Sequence, residues 1–190
     1  MVLSKGIKRG AILMVSKKIR KGYTQVYTGN GKGKTTAAIG LAIRAAGAGF
    51  KVFIAQFIKM GDYSEIKALQ RFSDLITVEQ FGLGRFTKRK PKPEDIQAAQ
   101  AGLEKVRTVM LSDEYSIIIM EEANVAVKLG LFGVQDLLNI ITDKPLEKEL
   151  VITGRGASPR IIEQADLVTE MKPIKHYFQK GVPARIGIEK

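Results

Sequence analysis

Hydrophobic residues from Tyr23 onward fall in short apolar runs that alternate with longer stretches of mixed polarity. The short runs are rich in Val, Ile, Phe and Thr. Several of them lack polar alternation, which is typical of parallel strands covered on both faces. They predict strands over Gln25–Thr28, Lys51–Phe57, Ile76–Phe81, Ser116–Met120, Leu150–Thr153, Leu167–Met171 and Ala184–Ile188.

The stretches between these runs carry apolar residues at helical spacing. Lys34–Ala46 ends close to Gly47 and Gly49, which suit a helix C-terminus. Pro93–Leu111 begins with Pro-Glu-Asp, which is favourable at a helix N-terminus. Two shorter helices are predicted over Val134–Ile141 and Arg160–Ala165. Alternating βα units of this length predict a doubly wound or RecA-like α/β domain.

The composition fits one domain with a basic N-terminal extension. The 190 residues are 45% hydrophobic, which is enough to form a core of ordinary size. The formal net charge is +12, and no acid precedes Asp62, so the basic excess lies in the N-terminal third. We interpret residues 1–22 as a basic extension, flexible or helical, and residues 23–190 as a single folded domain.

Some kinds of site are excluded by residue types that are rare or missing in the chain. It has no cysteine, which excludes disulfides, thiolate metal sites and cysteine nucleophiles. Its single histidine, His176, excludes a site built from several imidazoles and is interpreted as structural. No apolar run reaches the ~20 residues that span a bilayer, and no secretory signal is evident. We therefore predict a cytoplasmic protein that has no membrane partner.

A glycine-rich turn joins the first predicted strand to the first predicted helix. It consists of Gly29, Asn30, Gly31, Lys32, Gly33, Lys34, Thr35 and Thr36. Glycines let the backbone turn tightly and direct successive N–H groups at phosphate oxygens, and the helix aims its positive dipole end at the same place. Lys34 can then reach the terminal phosphates, and the Thr35 hydroxyl can ligate Mg²⁺. Thr28 stands where the common P-loop pattern has its first glycine. We therefore predict a nucleotide site that holds its triphosphate differently from a common NTPase.

Two acids follow the fourth predicted strand. Glu121 and Glu122 come directly after the apolar residues Ile117–Met120, so we expect them at the C-terminal edge of the sheet, beside the phosphate loop. Carboxylates there can hold Mg²⁺ directly or through water, although the sequence leaves open which of the two meets the ion. Loop, acids and βα units together predict an α/β protein with a three-layer P-loop NTPase (RecA-like) fold and a mostly parallel central sheet.

Several motifs resemble, in the same order along the chain, those of the bacterial-type ATP:corrinoid adenosyltransferases. The loop at 29–36 is similar to the variant P-loop of that family. Further similar motifs are Gln56-Phe57-Ile58-Lys59, Thr153-Gly154-Arg155-Gly156, Ala165–Glu170, Lys175-His176 and Ala184–Ile188. The resemblance extends from about Tyr23 to the C-terminus, and the combination is far more specific than a P-loop alone.

Two positions depart from the pattern of that family. Glu121-Glu122 stands where the family usually has Asp-Glu, which keeps the charge but lengthens the reach toward a metal. In the corrinoid-facing loop, Phe86 matches the Phe of the family, but Lys88 takes the place of its Trp. The handling of the lower corrinoid face is therefore expected to be weaker, or adapted to a precursor corrinoid.

The resemblance implies transfer of the 5′-deoxyadenosyl group of ATP to the Co(I) of a reduced corrinoid, with release of triphosphate, in adenosylcobalamin biosynthesis or salvage. Cobalt attacks C5′ in this reaction, so no Ser, Cys or His nucleophile and no general base is needed. The protein has instead to position C5′ and stabilise charge on the leaving triphosphate. In the family the triphosphate runs in the reversed direction relative to ordinary P-loop NTPases, which is consistent with Thr28 in place of glycine.

The resemblance also implies roles for residues and partners. Lys34, Phe86 and Arg155 are the expected catalytic residues, and the Gly31 and Gly33 amides are expected to meet phosphate. The residues expected to bind ATP are Gly29, Asn30, Gly31, Lys32, Gly33, Lys34, Thr35, Thr36 and Arg155. Mg²⁺ or Mn²⁺ is expected on Thr35, Glu121 and Glu122. A homodimer, and a reducing flavoprotein as partner, are further expectations.

The sequence leaves other classes open. A RecA-like ATPase acting on nucleic acid would use the basic N-terminal third, bind in a salt-sensitive manner and release ADP. Met1–Gly22 has no aromatic residue to interleave with its basic ones, so we expect no nucleic-acid partner. A small-molecule kinase would need a base or a residue that orients the acceptor, and no clear candidate is present. A nucleotide-binding regulator without catalytic activity is the third alternative.

Overall fold

Six parallel strands form one sheet in the described part of the chain, residues 19–84 and 90–189 of a computed structural model. The strands are β1 (Thr24–Thr28), β2 (Val52–Phe57), β3 (Ile76–Phe81), β4 (Ile117–Glu121), β5 (Glu149–Thr153) and β6 (Leu167–Glu170). Their order is β3-β2-β4-β5-β1-β6, and every neighbouring pair is parallel. The carboxyl ends of all six strands therefore lie along the same edge of the sheet. Along that edge, β5 lies between β1 and β4.

Helices pack on both faces of this sheet. They are α1 (Lys34–Gly47), α2 (Ser64–Leu69), α3 (Pro93–Leu111), α4 (Ala123–Lys128), α5 (Val134–Thr142) and α6 (Pro159–Gln164). Buried residues of α1 and α2 share one hydrophobic cluster with the sheet, and those of α3 to α6 share the other. Three layers result, as the sequence predicted. Among the residues described, no helix is both long and apolar enough to cross a bilayer.

The burial of β2 shows why uninterrupted apolar runs became central strands. Every residue of Val52–Phe57 is buried. Ile54 packs in the α1 cluster, whereas Phe53 and Phe57 pack in the cluster of α3 and its neighbours. Because successive side chains of a strand point to opposite faces, a strand covered on both sides needs apolar residues at nearly every position. The one polar residue of β2, Gln56, accepts a hydrogen bond from Gln80 Nε2 at 3.0 Å.

One predicted strand is wrong. Ala184–Ile188 forms no strand but an irregular segment that ends in a turn, and Gly187 adopts a left-handed φ of 76° that interrupts extended backbone. Ile186 and Ile188 are 83% and 58% exposed, so they do not join the core. Two short helices, α2 and α4, were not predicted at all. The predicted N-terminal extension lies outside the described residues up to position 18.

Candidate functional site

A cleft of about 530 Å³ opens at the carboxyl edge of the sheet. Its floor is the loop Asn30–Thr36, which joins β1 to α1. Lys59 after β2, Glu122 after β4 and Arg155 after β5 form further parts of the wall, and the segment after β6 closes it. The parallel order of the strands thus brings together residues that are far apart in sequence.

The loop encloses the side chain of Lys34. Its ammonium group donates hydrogen bonds to the carbonyls of Gly29 and Gly31, each at 2.8 Å. Gly33 precedes α1 with a φ of 111°, which only glycine adopts readily, and no side chain caps the helix there. Burial, and then the charge of Arg155, lower the pKa of Lys34. The free N-terminus of α1 and a buried cation therefore both act on the cleft.

The backbone of Met171 lies directly against the loop. The Gly31 N–H donates to the Met171 carbonyl at 2.6 Å. A Cβ on Gly29 or Gly31 would lie 2.5 Å or 2.7 Å from that carbonyl oxygen, so side chains are excluded at both positions by contact with the chain after β6. The sequence predicted that the Gly31 amide would meet phosphate. In the structure this amide donates to the Met171 carbonyl, and its contact with phosphate stays a prediction.

Thr28, which replaces the usual first glycine, is almost fully buried and links two loops. Its hydroxyl accepts a hydrogen bond from the Ala157 N–H at 3.2 Å. This bond holds the turn around Arg155, whose neighbours Gly154 and Gly156 have φ values of 128° and 71°. The exposed Arg155 side chain borders the cleft opposite the loop, so the threonine helps to fix the position of a cation predicted to meet the ligand.

Glu121 and Thr35 meet behind the loop. The Thr35 hydroxyl donates to Glu121 Oε1 at 2.5 Å, and Glu121 is only 1% exposed. The other carboxylate oxygen, Oε2, is buried and has no hydrogen-bond partner among the described residues. A hydroxyl and an unsatisfied carboxylate oxygen are donors suited to a hard divalent cation, so this pair fits the Mg²⁺ predicted from the sequence.

Glu122 has a different setting from its neighbour. It adopts a left-handed φ of 60° between β4 and α4, its N–H donates to the Thr153 hydroxyl at 3.1 Å, and it borders the cleft. Burial, and then the charge of Glu121, raise the pKa of Glu122.

Within the described ranges no group of three or more His, Cys, Asp and Glu side chains could hold a metal ion by itself. A cation bound here would need oxygen atoms of a bound substrate, or water molecules, to complete its coordination shell.

Lys59 is a site residue to which the sequence reasoning gave no role. Its ammonium lies 3.1 Å from Glu121 Oε1 and 3.7 Å from Glu65 Oε1. Burial alone would lower the pKa of Lys59, but the charge and hydrogen bond of Glu121 outweigh it, and the pKa is raised. The motif Gln56–Lys59 was the available signal, because a lysine two residues after the end of a buried strand lies at the carboxyl edge of the sheet.

The C-terminal segment supplies the remaining wall of the cleft. His176 borders it, and the His176 Nδ1 atom accepts a hydrogen bond from the Phe178 N–H at 3.2 Å. Lys32 turns toward this segment, with its ammonium 2.6 Å from the Tyr177 hydroxyl. Asn30 and Thr36 border the cleft as well. Phe86, the residue predicted to contact a corrinoid, lies outside the described residues, and so does Lys88.

Comparisons with known proteins agree with this arrangement. Residues 20–189 match the family model described as ATP:corrinoid adenosyltransferase BtuR/CobO/CobP. The corrinoid adenosyltransferase of Pseudomonas aeruginosa is 35% identical over 170 residues, which cover 89% of this chain and 84% of that protein. The corrinoid adenosyltransferase of Escherichia coli K12 is 31% identical over 169 residues, which cover 89% and 86%.

A solved structure is also similar. The flagellar accessory protein FlaH from Methanocaldococcus jannaschii superposes with a TM-score of 0.55 at 14% identity, over 80% of this chain and 72% of that one. At this identity the likeness concerns the fold alone. Together with the parallel sheet between two helical layers, it confirms the three-layer α/β fold with a mostly parallel central sheet that the sequence predicted.

Proposed function

This chain belongs to the ATP:corrinoid adenosyltransferase family, and we propose that it transfers the 5′-deoxyadenosyl group of ATP to the Co(I) of a reduced corrinoid. The observation that carries the proposal is the enclosed Lys34 at the start of α1, which shares one cleft with Thr35 and Arg155, while Glu121 bonds to Thr35 behind the loop. In the reaction Co(I) donates an electron pair to C5′. The Co–C bond forms, the C5′–O bond breaks, and the triphosphate leaves with that bonding pair.

The cleft contributes positive charge where this leaving group would develop negative charge. Lys34, Lys59 and Arg155 all border it, and the N-terminus of α1 adds its dipole. Fixed charges of this kind stabilise a leaving group without the cost of reorienting solvent. Lys34 would exchange its loop carbonyls for phosphate oxygens, which are the stronger, charged acceptors.

Thr35 and Glu121 would hold the divalent cation, with Glu122 as a further carboxylate at the edge of the cleft. The unsatisfied Oε2 atom of Glu121 supports this assignment. A bound Mg²⁺ would supply charge neutralisation on the triphosphate. The Thr35 hydroxyl, now bonded to Glu121 Oε1, keeps the two ligands adjacent.

No side chain has to act as a nucleophile or as a general base in this proposal. Cobalt is the nucleophile and belongs to the substrate, so the residues of the chain have to bind, orient and neutralise charge. This fits a cleft whose charged side chains include more cations than carboxylates. The corrinoid contact of Phe86 remains a prediction, as do a cytoplasmic homodimer, a flavoprotein reductant and a role in adenosylcobalamin biosynthesis or salvage.

The test is a product assay with ATP, Mg²⁺ and a chemically reduced corrinoid. We expect a light-sensitive adenosylated corrinoid spectrum and the release of intact triphosphate. Lys34→Ala should lower the turnover number at least about a hundredfold because it removes a preorganised charge from the leaving group. Lys51→Ala, at the opposite edge of the sheet, is the matched control and should keep its activity. Production of ADP without an organocobalt product would contradict the proposal and favour an ATPase or a kinase.

A further inference from the structure

A carboxylate of the C-terminal segment lies in the wall of the phosphate cleft. Glu189 borders the cleft beside Lys32, and its side chain is only 16% exposed. Its oxygens accept hydrogen bonds from the Lys32 ammonium at 2.7 Å, from Arg185 Nη2 at 3.2 Å and from the Tyr177 hydroxyl. A carboxylate in this position would repel the ligand proposed for the cleft, because that ligand is itself a polyanion.

The three donors also contact one another through the Tyr177 side chain. Lys32 and Arg185 both lie over the ring of Tyr177, at 5.3 Å and 5.1 Å from its centroid. Lys32 also lies within hydrogen-bond distance of the Tyr177 hydroxyl, at 2.6 Å. Cations are attracted to the faces of aromatic rings. These ring contacts do not involve the carboxylate, so they can persist when another anion takes its place between the two cations.

The donors around Glu189 are those that recognise phosphate. Hydrogen bonds from Arg185 and then Lys32 hold the pKa of Glu189 well below its usual range, so the group is an anion at neutral pH. Carboxylate and phosphate oxygens accept hydrogen bonds from the same arginine, lysine and hydroxyl donors. Glu189 thus occupies a position that has the chemistry of a phosphate site.

We propose that Lys32, Tyr177 and Arg185 form an anion subsite of the nucleotide cleft, which Glu189 fills in this structure and yields to a phosphate group of the triphosphate. The ligand named here rests on the proposed function. The subsite adds phosphate-binding groups to those of the glycine-rich loop and the N-terminus of α1. Glu189 acts as an internal competitor of ATP, so it sets the affinity for ATP and assists the departure of triphosphate.

The segment that carries Glu189 is held by few contacts besides this cluster. Among the described residues, 181–189 contain no helix and no strand. Ile186 and Ile188 are largely exposed, and the Glu189 N–H bonds locally to the Arg185 carbonyl at 3.0 Å. A segment with little apolar burial rearranges at low cost, so rotation of the carboxylate out of the cluster would not disturb the core.

A purely structural role for Glu189 makes the opposite prediction. If the carboxylate only fastens the C-terminal segment to the loop, its loss should loosen the wall of the cleft and weaken the binding of triphosphate. If it competes with phosphate, its loss should strengthen that binding. The sign of one affinity change therefore separates the two roles.

The experiment measures the dissociation constants of inorganic triphosphate and of ATP by calorimetry, with Mg²⁺ and without corrinoid. Glu189→Gln keeps the shape of the side chain and removes its charge. We expect both ligands to bind about threefold or more tightly, the effect of one partly exposed charge. Arg185→Gln removes a subsite donor and should weaken binding by a similar factor. Matched controls are Glu114→Gln, whose carboxylate pairs with Lys51 at 3.3 Å, and Arg107→Gln on α3.

Unchanged or weaker binding by Glu189→Gln would overturn the subsite, and so would unchanged binding by Arg185→Gln. Tighter binding with Glu114→Gln as well would also overturn it, because the effect would then reflect net charge alone. The proposed function is tested separately. Wild-type protein that binds triphosphate but forms no adenosylated corrinoid would contradict that function, while the comparison of the variants would still decide the subsite.

Discussion

The positive charge of Lys34 is not neutralised by a carboxylate in the described part of the chain, because the hydrogen bonds of its ammonium group go to neutral acceptors. Both of its hydrogen bonds go to backbone carbonyls of the loop, and none of the described carboxylates forms an ion pair with it. Lys59, by contrast, is paired with Glu121 and Glu65. A lysine held by neutral acceptors retains a stronger field for an incoming anion than one already neutralised by a carboxylate. Of these two cations, Lys34 is therefore the better placed to bind phosphate.

Replacing each strand-end glutamate by glutamine should identify the one that meets the metal. We expect Glu121→Gln to raise the Mg²⁺ concentration needed for half-maximal ATP binding at least about tenfold, because its Oε2 atom is buried and has no partner among the described residues. Glu122→Gln, the adjacent control, should shift it less. Calorimetric titration with ATP at several Mg²⁺ concentrations gives both values. A larger shift for Glu122→Gln would reverse the assignment.

Site residues that stand next to each other in a motif could be predicted from the sequence. Contacts between residues that meet only in the folded chain could not. Lys34, Thr35 and the two glutamates were identifiable because the strand–loop–helix pattern fixes where their side chains emerge. The bond between Thr28 and Ala157 joins residues 129 apart in sequence. The pairing of Lys32 with Glu189 spans 157 residues. No local pattern encodes such contacts.

At the scale of elements, uninterrupted apolar runs were the reliable signal. β2, β4 and β5 are central strands that need apolar residues on both faces, and their bounds were predicted to within one residue. Edge positions carry a weaker signal, since every residue of β6 is exposed. α4 begins directly after Glu122 at its left-handed φ, with no intervening loop or side-chain cap to mark it. Short helices that depend on such backbone geometry are not readable from periodicity.

Two helical glycines offer a matched test of packing between elements. In α3, a Cβ on Gly102 would lie 2.7 Å from Phe81 Cγ and 2.8 Å from Phe57 Cε1, whereas a Cβ on Gly40 of α1 would meet nothing within 4 Å. Gly40→Ala should therefore raise the free energy of unfolding by roughly 0.5–1 kcal/mol through helix propensity. Gly102→Ala should lower it, because overpacking costs about 1–3 kcal/mol. Urea denaturation measures both changes. A Gly102→Ala variant more stable than wild type would show that α3 does not pack closely on β3.

At the scale of the whole molecule, the fold gathers charges that the sequence scatters. The residues before Asp62 hold the entire basic excess, yet the cleft also uses Arg155 and the C-terminal segment. One sheet edge collects them because all the described strands are parallel. A polyanion that binds there contacts elements from both ends of the chain. Its binding should consequently stabilise the domain as a unit, and not the loop alone.

Thermal unfolding with inorganic triphosphate tests this coupling. A ligand that binds only the folded state, at about 100 times its dissociation constant, adds about 2.7 kcal/mol to the free energy of unfolding. For a chain of this length that corresponds to a rise of roughly 5–11 °C in Tm. Lys34→Ala should lose most of the rise, because the buried cation of the loop is gone, while Lys51→Ala should keep it. An equal rise in wild type and Lys34→Ala would mean that triphosphate binds elsewhere on the basic surface. Such binding would also fall steeply with added salt, since exposed charges are screened within a Debye length of about 10 Å at 0.1 M.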